Sequence, residues 1–389
     1  MPQGNVNHLL PIFRDTTSEA GEDDSNMIKV LAQLSSLTRL NCNNGFLQFL
    51  AKGGVPHKLP INLNCMRYLL LDIIDFGFKD EVCSVLCLIR SSPNLQSLQI
   101  TTANGSAADM LSATQFLRAE KENEIPLCRL DNVTMRGFTC WIPEMEFLKL
   151  LLLAPTELRR LEIHFAHHFS EVEQRLSLSL IMNRKRIQSC SATADSNYLY
   201  FTKDPSSSSH SMLLMATRSP AISHWLHFLS NHHLEELTLQ FPYLSCFKPV
   251  PNDLFTLDHL RHLCLVGAKL EFPSTFEGFS RLVRLDTEAV YTPDNEEEAA
   301  AQFLKAQQNC ELTLSHLENV KINGLFGSEP EMEFMKLLLS AATTLMKLEV
   351  RSQYEGATEE GSKMLKALVK FRRASAKAEI IFQDPAYNI

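Results

Sequence analysis

An α/β coil of short parallel strands joined by helical returns, in one arc or in two halves, is the fold class that this sequence predicts. Three observations carry it. A stretch of about 34 residues is written twice, an apolar pattern recurs throughout the chain, and apolar residues at helical spacing fall between copies of that pattern. The long copies, Leu130–Ile163 and Leu317–Val350, align without a gap roughly 190 residues apart, with about half their positions identical. Leu130, Asn132, Val133 and Gly137 return as Leu317, Asn319, Val320 and Gly324, and Pro143-Glu144-Met145-Glu146-Phe147 returns as Pro330-Glu331-Met332-Glu333-Phe334. A repeated supersecondary unit buries its apolar face against neighbours of its own kind, so the repeat implies stacking and an extended binding surface.

The shorter pattern is Leu-x-x-Leu-x-Leu. It appears at Leu37-Leu40-Cys42, Met66-Leu69-Leu71, Leu95-Leu98-Ile100 and Leu158-Leu161-Ile163. It resumes at Leu234-Leu237-Leu239, Leu260-Leu263-Leu265, Leu282-Leu285-Thr287 and Leu345-Leu348-Val350. Most neighbouring members lie about 22 to 30 residues apart, the spacing of a horseshoe-like leucine-rich-repeat solenoid with one short strand per turn. Alternate leucines face the core, and the residues between them face the concave surface.

The intervening elements follow in order. Residues 1–27 are expected to be a disordered tail, and 28–128 a leucine-rich-repeat segment. Asp80–Arg90 places Val82, Val85, Leu86 and Ile89 at helical spacing, and Ser91-Ser92-Pro93-Asn94 stops that helix. In each long copy (129–164 and the start of 315–389), Pro143 or Pro330 opens a helix, where proline is tolerated and carboxylates oppose the N-terminal dipole. Residues 165–222 lose the leucine pattern and carry Asp204-Pro205-Ser206-Ser207-Ser208-Ser209, which reads as an irregular insertion with a flexible tip. Repeats resume over 223–314, where Asp294–Gln308 reads as a capped helix. A final strand is expected at Glu379–Phe382.

Composition excludes several classes. A net charge of −8 in 389 residues leaves no basic stripe for nucleic acid or an anionic membrane. The most apolar run, Phe147–Ala154, is less than half of the ~20 residues a spanning helix requires. Met1–Ser25 has no apolar core of the signal-peptide kind, so an intracellular location, nucleus or cytoplasm, is expected. Ten cysteines without a Cys-x-x-Cys pair then read as free thiols.

No catalytic, cofactor or metal site is expected. His224, His227, His232, His233, His259, His262 and Cys264 cluster in sequence without a fixed set of four ligands. Gly356–Met364 nearly spells a phosphate-binding loop, but Ser362 stands between Gly361 and Lys363. Glu144 and Glu146 read as solvated carboxylates, and Arg372 and Arg373 beside Ser375 as residues flanking the last strand. The candidate partner-binding residues are the intervening positions of the strands. They are Arg159, Arg160 and Glu162 in the first half and Glu235, Glu236, Thr238, Arg261, His262, Cys264, Val283, Arg284 and Asp286 in the second. Mixed charge across adjacent strands suits orientation of a protein partner.

The C-terminal blocks Leu317-Glu318-Asn319-Val320-Lys321-Ile322, Gly324, Glu331-Met332-Glu333-Phe334 and Phe371-Arg372-Arg373-Ala374-Ser375-Ala376-Lys377-Ala378-Glu379-Ile380 resemble the FBD domain of plant F-box/FBD/LRR-repeat proteins. Val85–Leu95, Trp225–Ser230 and Pro273–Phe279 resemble the leucine-rich part of the same proteins. The resemblance implies a non-enzymatic substrate-recognition subunit of a cullin-based ubiquitin ligase, with the repeats holding the protein to be ubiquitinated. The sequence departs from that plan at its start. Leu10-Pro11 begins like an F-box, but Asp15–Ser25 turns acidic and polar where the F-box has amphipathic helices. Coupling to the ligase adaptor is therefore left open. The alternatives are a decoy that occupies a ligase target, a truncated or fused product without a stable partner, and an enzyme with an unrecognised pocket.

Overall fold

The computed structural model describes residues 36–51, 54–103, 110–123, 125–154, 157–166, 220–241, 252–267, 278–288, 314–354 and 358–385. The expected tail (1–27), most of the expected insertion (165–222) and the expected helix at Asp294–Gln308 lie outside them. The chain divides into two compact units, Met1–Ala166 and His167–Ile389.

In the first unit, five strands pair in parallel and in chain order: β1 (Arg39–Asn43), β2 (Tyr68–Ile74), β3 (Ser97–Thr102), β4 (Asn132–Phe138) and β5 (Arg160–Phe165). Helices α1 (Asn44–Ala51), α2 (Lys79–Arg90), α3 (Met110–Ala119) and α4 (Ile142–Leu153) alternate with them, and successive helices pack against one another. The register stacks Leu40, Leu69, Leu98, Val133 and Leu161 in one buried row. Cys42, Leu71, Ile100, Met135 and Ile163 form the next. Period-two alternation thus sends one side of every strand into the core and leaves the other side open.

The second unit repeats the plan with α5 (Pro220–Leu229), β6 (Glu236–Gln240), β7 (His262–Val266), β8 (Arg284–Glu288), β9 (Asn319–Leu325), α6 (Glu329–Ala341), β10 (Lys347–Ser352), α7 (Glu359–Lys370) and β11 (Glu379–Gln383). These strands are also parallel and in chain order. Its core rows run through Leu237, Leu263, Leu285, Val320 and Leu348, and through Leu239, Leu265, Thr287, Ile322 and Val350. The first leucine of each pattern is buried at Met66, Leu95, Leu234, Leu260, Leu282 and Leu345, whereas Leu37 and Leu158 are half-buried. Among the described residues no helix is long and apolar enough to cross a membrane.

One backbone device sets the register at the strand starts. At most strand starts a single carbonyl just before one strand accepts the two amides that open the next. Arg67 O takes Gln96 N and Ser97 N, Asp131 O takes Arg159 N and Arg160 N, and Glu235 O takes Arg261 N and His262 N. Arg261 O, Val283 O and Glu318 O continue the series to β8, β9 and β10. These carbonyls would otherwise be unpaired at the end of the sheet, and each pairing fixes the neighbouring strand to the residue.

The long repeat folds twice into the same β-α-β unit, β4-α4-β5 and β9-α6-β10. Near the end of each first strand a glycine takes a left-handed conformation, Gly137 at φ 73° and Gly324 at φ 75°. Both sit where the register slips against the following strand, and a β-carbon on Gly137 would stand 3.0 Å from Thr102 O.

Candidate protein-binding face

In the second unit the open side of the sheet is a lattice of charges built by register. One row reads Glu236, His262, Arg284, Asn319, Lys347 and Glu379, and the next reads Thr238, Cys264, Asp286, Lys321, Glu349 and Ile381. Asp286 is central. His262 Nε2 lies 3.1 Å from its Oδ2, and Arg284 Nε donates to both carboxylate oxygens at 3.0 and 2.9 Å. Burial works against the charge on Asp286, but these two partners outweigh it and hold its carboxyl below the ordinary range. Glu349, bonded to Lys347 and facing Lys321 and Arg284, is also held low.

The first unit's open side is different in character. Arg39, Tyr68, Ser97, Asn132 and Arg160 make its first row, and Asn41, Leu70, Gln99, Thr134 and Glu162 its second. Glu162 is held low by a hydrogen bond with His164 and by the nearby Arg136. Arg159 Nε donates to Asp131 Oδ1 at 2.8 Å, and Arg160 reaches the other oxygen at 3.4 Å. At the strand-start edge an open groove of about 680 Å³ is lined by residues that include Tyr68, Arg129, Asp131, Glu157, Arg159 and Arg160.

Of the sequence-derived candidates, Arg160, Glu162, Glu236, Thr238, His262, Cys264, Arg284 and Asp286 lie on strands and on the open side. Arg159, Glu235, Arg261 and Val283 stand one residue ahead of their strands, in the carbonyl ladder. The structure brings Glu236, His262, Arg284 and Asp286 together, with His262 Nδ1 3.9 Å from Glu236 Oε2. Lys321, Lys347 and Glu349 belong to the same lattice and were absent from the candidates. The signal was present, because Glu349 occupies in the second long copy the position of Glu162 in the first.

The expectation that Glu144 and Glu146 are solvated is wrong. Each is 2% exposed. Glu144 accepts hydrogen bonds from Thr139 N and Oγ1 at 2.8 Å and from Trp141 N at 3.2 Å, closing the corner between β4 and α4. Glu331 does the same for β9 and α6 through Phe326 N at 3.1 Å and Ser328 N at 2.9 Å. Glu81 serves α2, taking Asp75 N at 2.9 Å and Gln48 Nε2 at 2.7 Å. All three are the third residue of a helix, where a carboxylate caps orphan amides. Burial pushes the Glu144 carboxyl up to about 7 and raises Glu81 and Glu331 in the same direction. Glu146 is instead held low: burial raises it, but Lys121 at 2.7 Å and Arg118 at 3.4 Å prevail.

Of the Arg372-Arg373-Ser375 group, Arg373 and Ser375 make structural contacts beside the last strand, and Arg372 is exposed. Arg373 Nη1 donates to Ala378 O at 3.1 Å, and buried Ser375 Oγ donates to Leu345 O at 2.7 Å. His233 and His259 meet at 3.0 Å, yet among the described residues no three His, Cys, Asp or Glu side chains are grouped to hold a metal ion. Among the described residues no two cysteines form a disulfide, and burial pushes the Cys87 thiol up to about 11.

Comparison with known proteins bears on the second unit. Residues 309–350 match the FBD family. No curated protein matches the chain. Among solved structures, a protein from Bacteroides fragilis is similar at 13% identity and a TM-score of 0.33, over 93% of this chain and 85% of that one. The β9-α6-β10 segment is thus the part of the chain that resembles a family associated with F-box proteins and protein interaction.

Proposed function

We propose that this chain is a non-enzymatic protein-recognition module, a leucine-rich-repeat solenoid whose open strand faces hold a protein partner. The finer reading is that it resembles the substrate-binding part of an F-box/FBD/LRR subunit of a ubiquitin ligase, acting in the nucleus or cytoplasm. The observation that carries the proposal is the division of labour along the strands β1–β10. Core positions are mostly Leu, Ile, Val or Met, with Cys42 and Thr287 as departures, while the facing positions differ from strand to strand and form a charge lattice in register in the second unit. Such a surface discriminates among partners by charge placement. The match to the FBD family over 309–350 supports the same direction.

The test is affinity capture of the tagged full chain from plant cell extract with the proteasome blocked, beside a variant carrying Lys321→Glu and Glu349→Lys and one carrying Arg129→Glu. Proteins retained by the parent and lost from either variant support recognition through the open faces. Co-purification of the ligase adaptor and cullin assigns the recognition-subunit role, and specific capture without them assigns a competitor. Identical captures from all three chains refute the reading.

A further inference from the structure

The two open faces differ in a way that identifies what one of them holds. On the second unit, charges of both signs alternate and largely satisfy one another, as the His262–Asp286–Arg284 cluster and the Lys347–Glu349 pair show. The first unit concentrates guanidinium groups at one edge. Arg129, Arg159 and Arg160 line the groove of about 680 Å³, against the carboxylates of Asp131 and Glu157. Asp131 is already engaged by Arg159 and Arg160. Arg129 is exposed. Arg39 adds a further cation over the Tyr68 ring, 5.2 Å from its centroid. A basic groove on a chain of net charge −8 is a local inversion of sign, and such inversions steer ligands of the opposite charge.

From the groove, apolar side chains run along the first half of the open side of β2, and half-buried Asp72 follows them before Ile73. Tyr68 is 45% exposed at the start of the strand, Leu70 is half-buried at its middle, and Ile73 is 51% exposed near its end. The neighbouring positions Asn41 and Gln99 are polar and uncharged. Ile73 carries a conformational cost. Its φ is 58°, and it stands at the register slip of β2, the place that glycine fills in β4 and β9. For a β-branched residue this is a genuine outlier, and glycine would remove the strain. A strained, exposed apolar side chain on a strand that starts at a basic groove points to contact with something outside the chain.

Resting on the recognition reading above, we infer that the open face of β1–β5 docks an acidic segment of a protein partner. Its carboxylates seat among Arg129, Arg159 and Arg160, and its apolar side chains lie along Tyr68, Leu70 and Ile73. Guanidinium forks pair with carboxylates in a planar, two-bond geometry that an ammonium cannot reproduce. Tyrosine supplies a rigid apolar wall at small entropic cost.

The experiment uses the purified full chain and a panel of fluorescein-labelled 12-residue peptides in which Leu or Phe is flanked by Glu, with Gln and Lys counterparts of each. Binding is read by fluorescence anisotropy. Glu peptides are expected to bind at least about tenfold more tightly than their Gln counterparts at low salt, with the advantage shrinking as salt screens the groove. Arg129→Glu is expected to remove most of that advantage. Ile73→Gly is expected to weaken binding several-fold while raising the melting temperature, which a purely structural role would not produce. Equal binding of Glu, Gln and Lys peptides, or no change on Arg129→Glu, overturns the inference. The outcomes separate from those of the recognition reading: if peptide binding fails while Lys321→Glu with Glu349→Lys still abolishes partner capture, recognition stands and only this docking site falls.

Discussion

The charged residues at the start of the repeated helices have two fates, and the difference is one of hydrogen-bond supply. Glu144 is sealed from solvent among donors of the corner it closes, on Thr139 and Trp141, together with the Thr102 side chain of β3. Its carboxyl is raised from an ordinary value of 4.5 to about 7, with burial as the cause. The folded state therefore binds this proton more tightly than the unfolded state. Stability from Glu144 is fully present below pH 4.5 and is lost as pH rises through about 7. Glu81 and Glu331 act in the same sense. Glu144→Gln keeps an acceptor without the charge, so its unfolding free energy relative to the parent is expected to rise by on the order of 2 kcal/mol between pH 5 and pH 8. Urea unfolding of both proteins at a series of pH values checks this, and parallel curves would refute it. Glu144→Ala, which takes the acceptor away from these donors, is expected to cost about 1–3 kcal/mol at pH 5.

At the scale of elements, the two copies of one sequence pattern make helices of unequal burial. Every residue of α4 from Pro143 to Leu152 is buried, whereas Met332, Glu333 and Phe334 of α6 are half-buried. The strands were legible because alternation and leucine give a period of two, and the helix starts because Pro143 and Pro330 mark them. β4 and β9 were less visible as strands, since Val133 and Met135, or Val320 and Ile322, replace the leucines of the pattern. The buried role of Glu144 was not legible, because its partners lie in the preceding bend and, for Thr102, at the end of β3, and only the fold brings them to it. The open-face lattice was legible by position within each strand but not by partner, because pairing His262 with Asp286 requires the register between strands. Packing of α4 gives a further prediction. Leu151 has no exposure, so Leu151→Ala is expected to cost about 2–5 kcal/mol. In a chain of nearest-neighbour turns the loss is local. Amide exchange is expected to accelerate most in β4 and β5 and least in β1, and uniform acceleration across the first unit would contradict nearest-neighbour packing.

For the molecule as a whole, the family match poses the question of whether residues 309–350 are a domain or a portion of a larger stack. The segment holds β9, α6 and most of β10. β9 is flanked by β8, whose Val283 carbonyl receives Glu318 N and Asn319 N, and β10 is flanked by β11 through Leu348 opposite Ile380. The carbonyls at the end of α6 and after it are met from beyond the match: Ala374 N donates to Leu339 O at 2.8 Å and Ser375 Oγ to Leu345 O at 2.7 Å. Two parallel strands and one helix expose both sheet edges and leave Val320, Ile322, Leu348 and Val350 without the neighbouring rows that bury them. Turns of this kind need about three repeats to form a stable core. The excised segment 309–350 is therefore expected to show no cooperative thermal transition by circular dichroism and no protected amides. Extension to residues 278–385, which adds β8, α7 and β11, is expected to restore both. A sharp transition in the short segment would make it an autonomous domain and would break the account of this protein as a stack of mutually dependent turns.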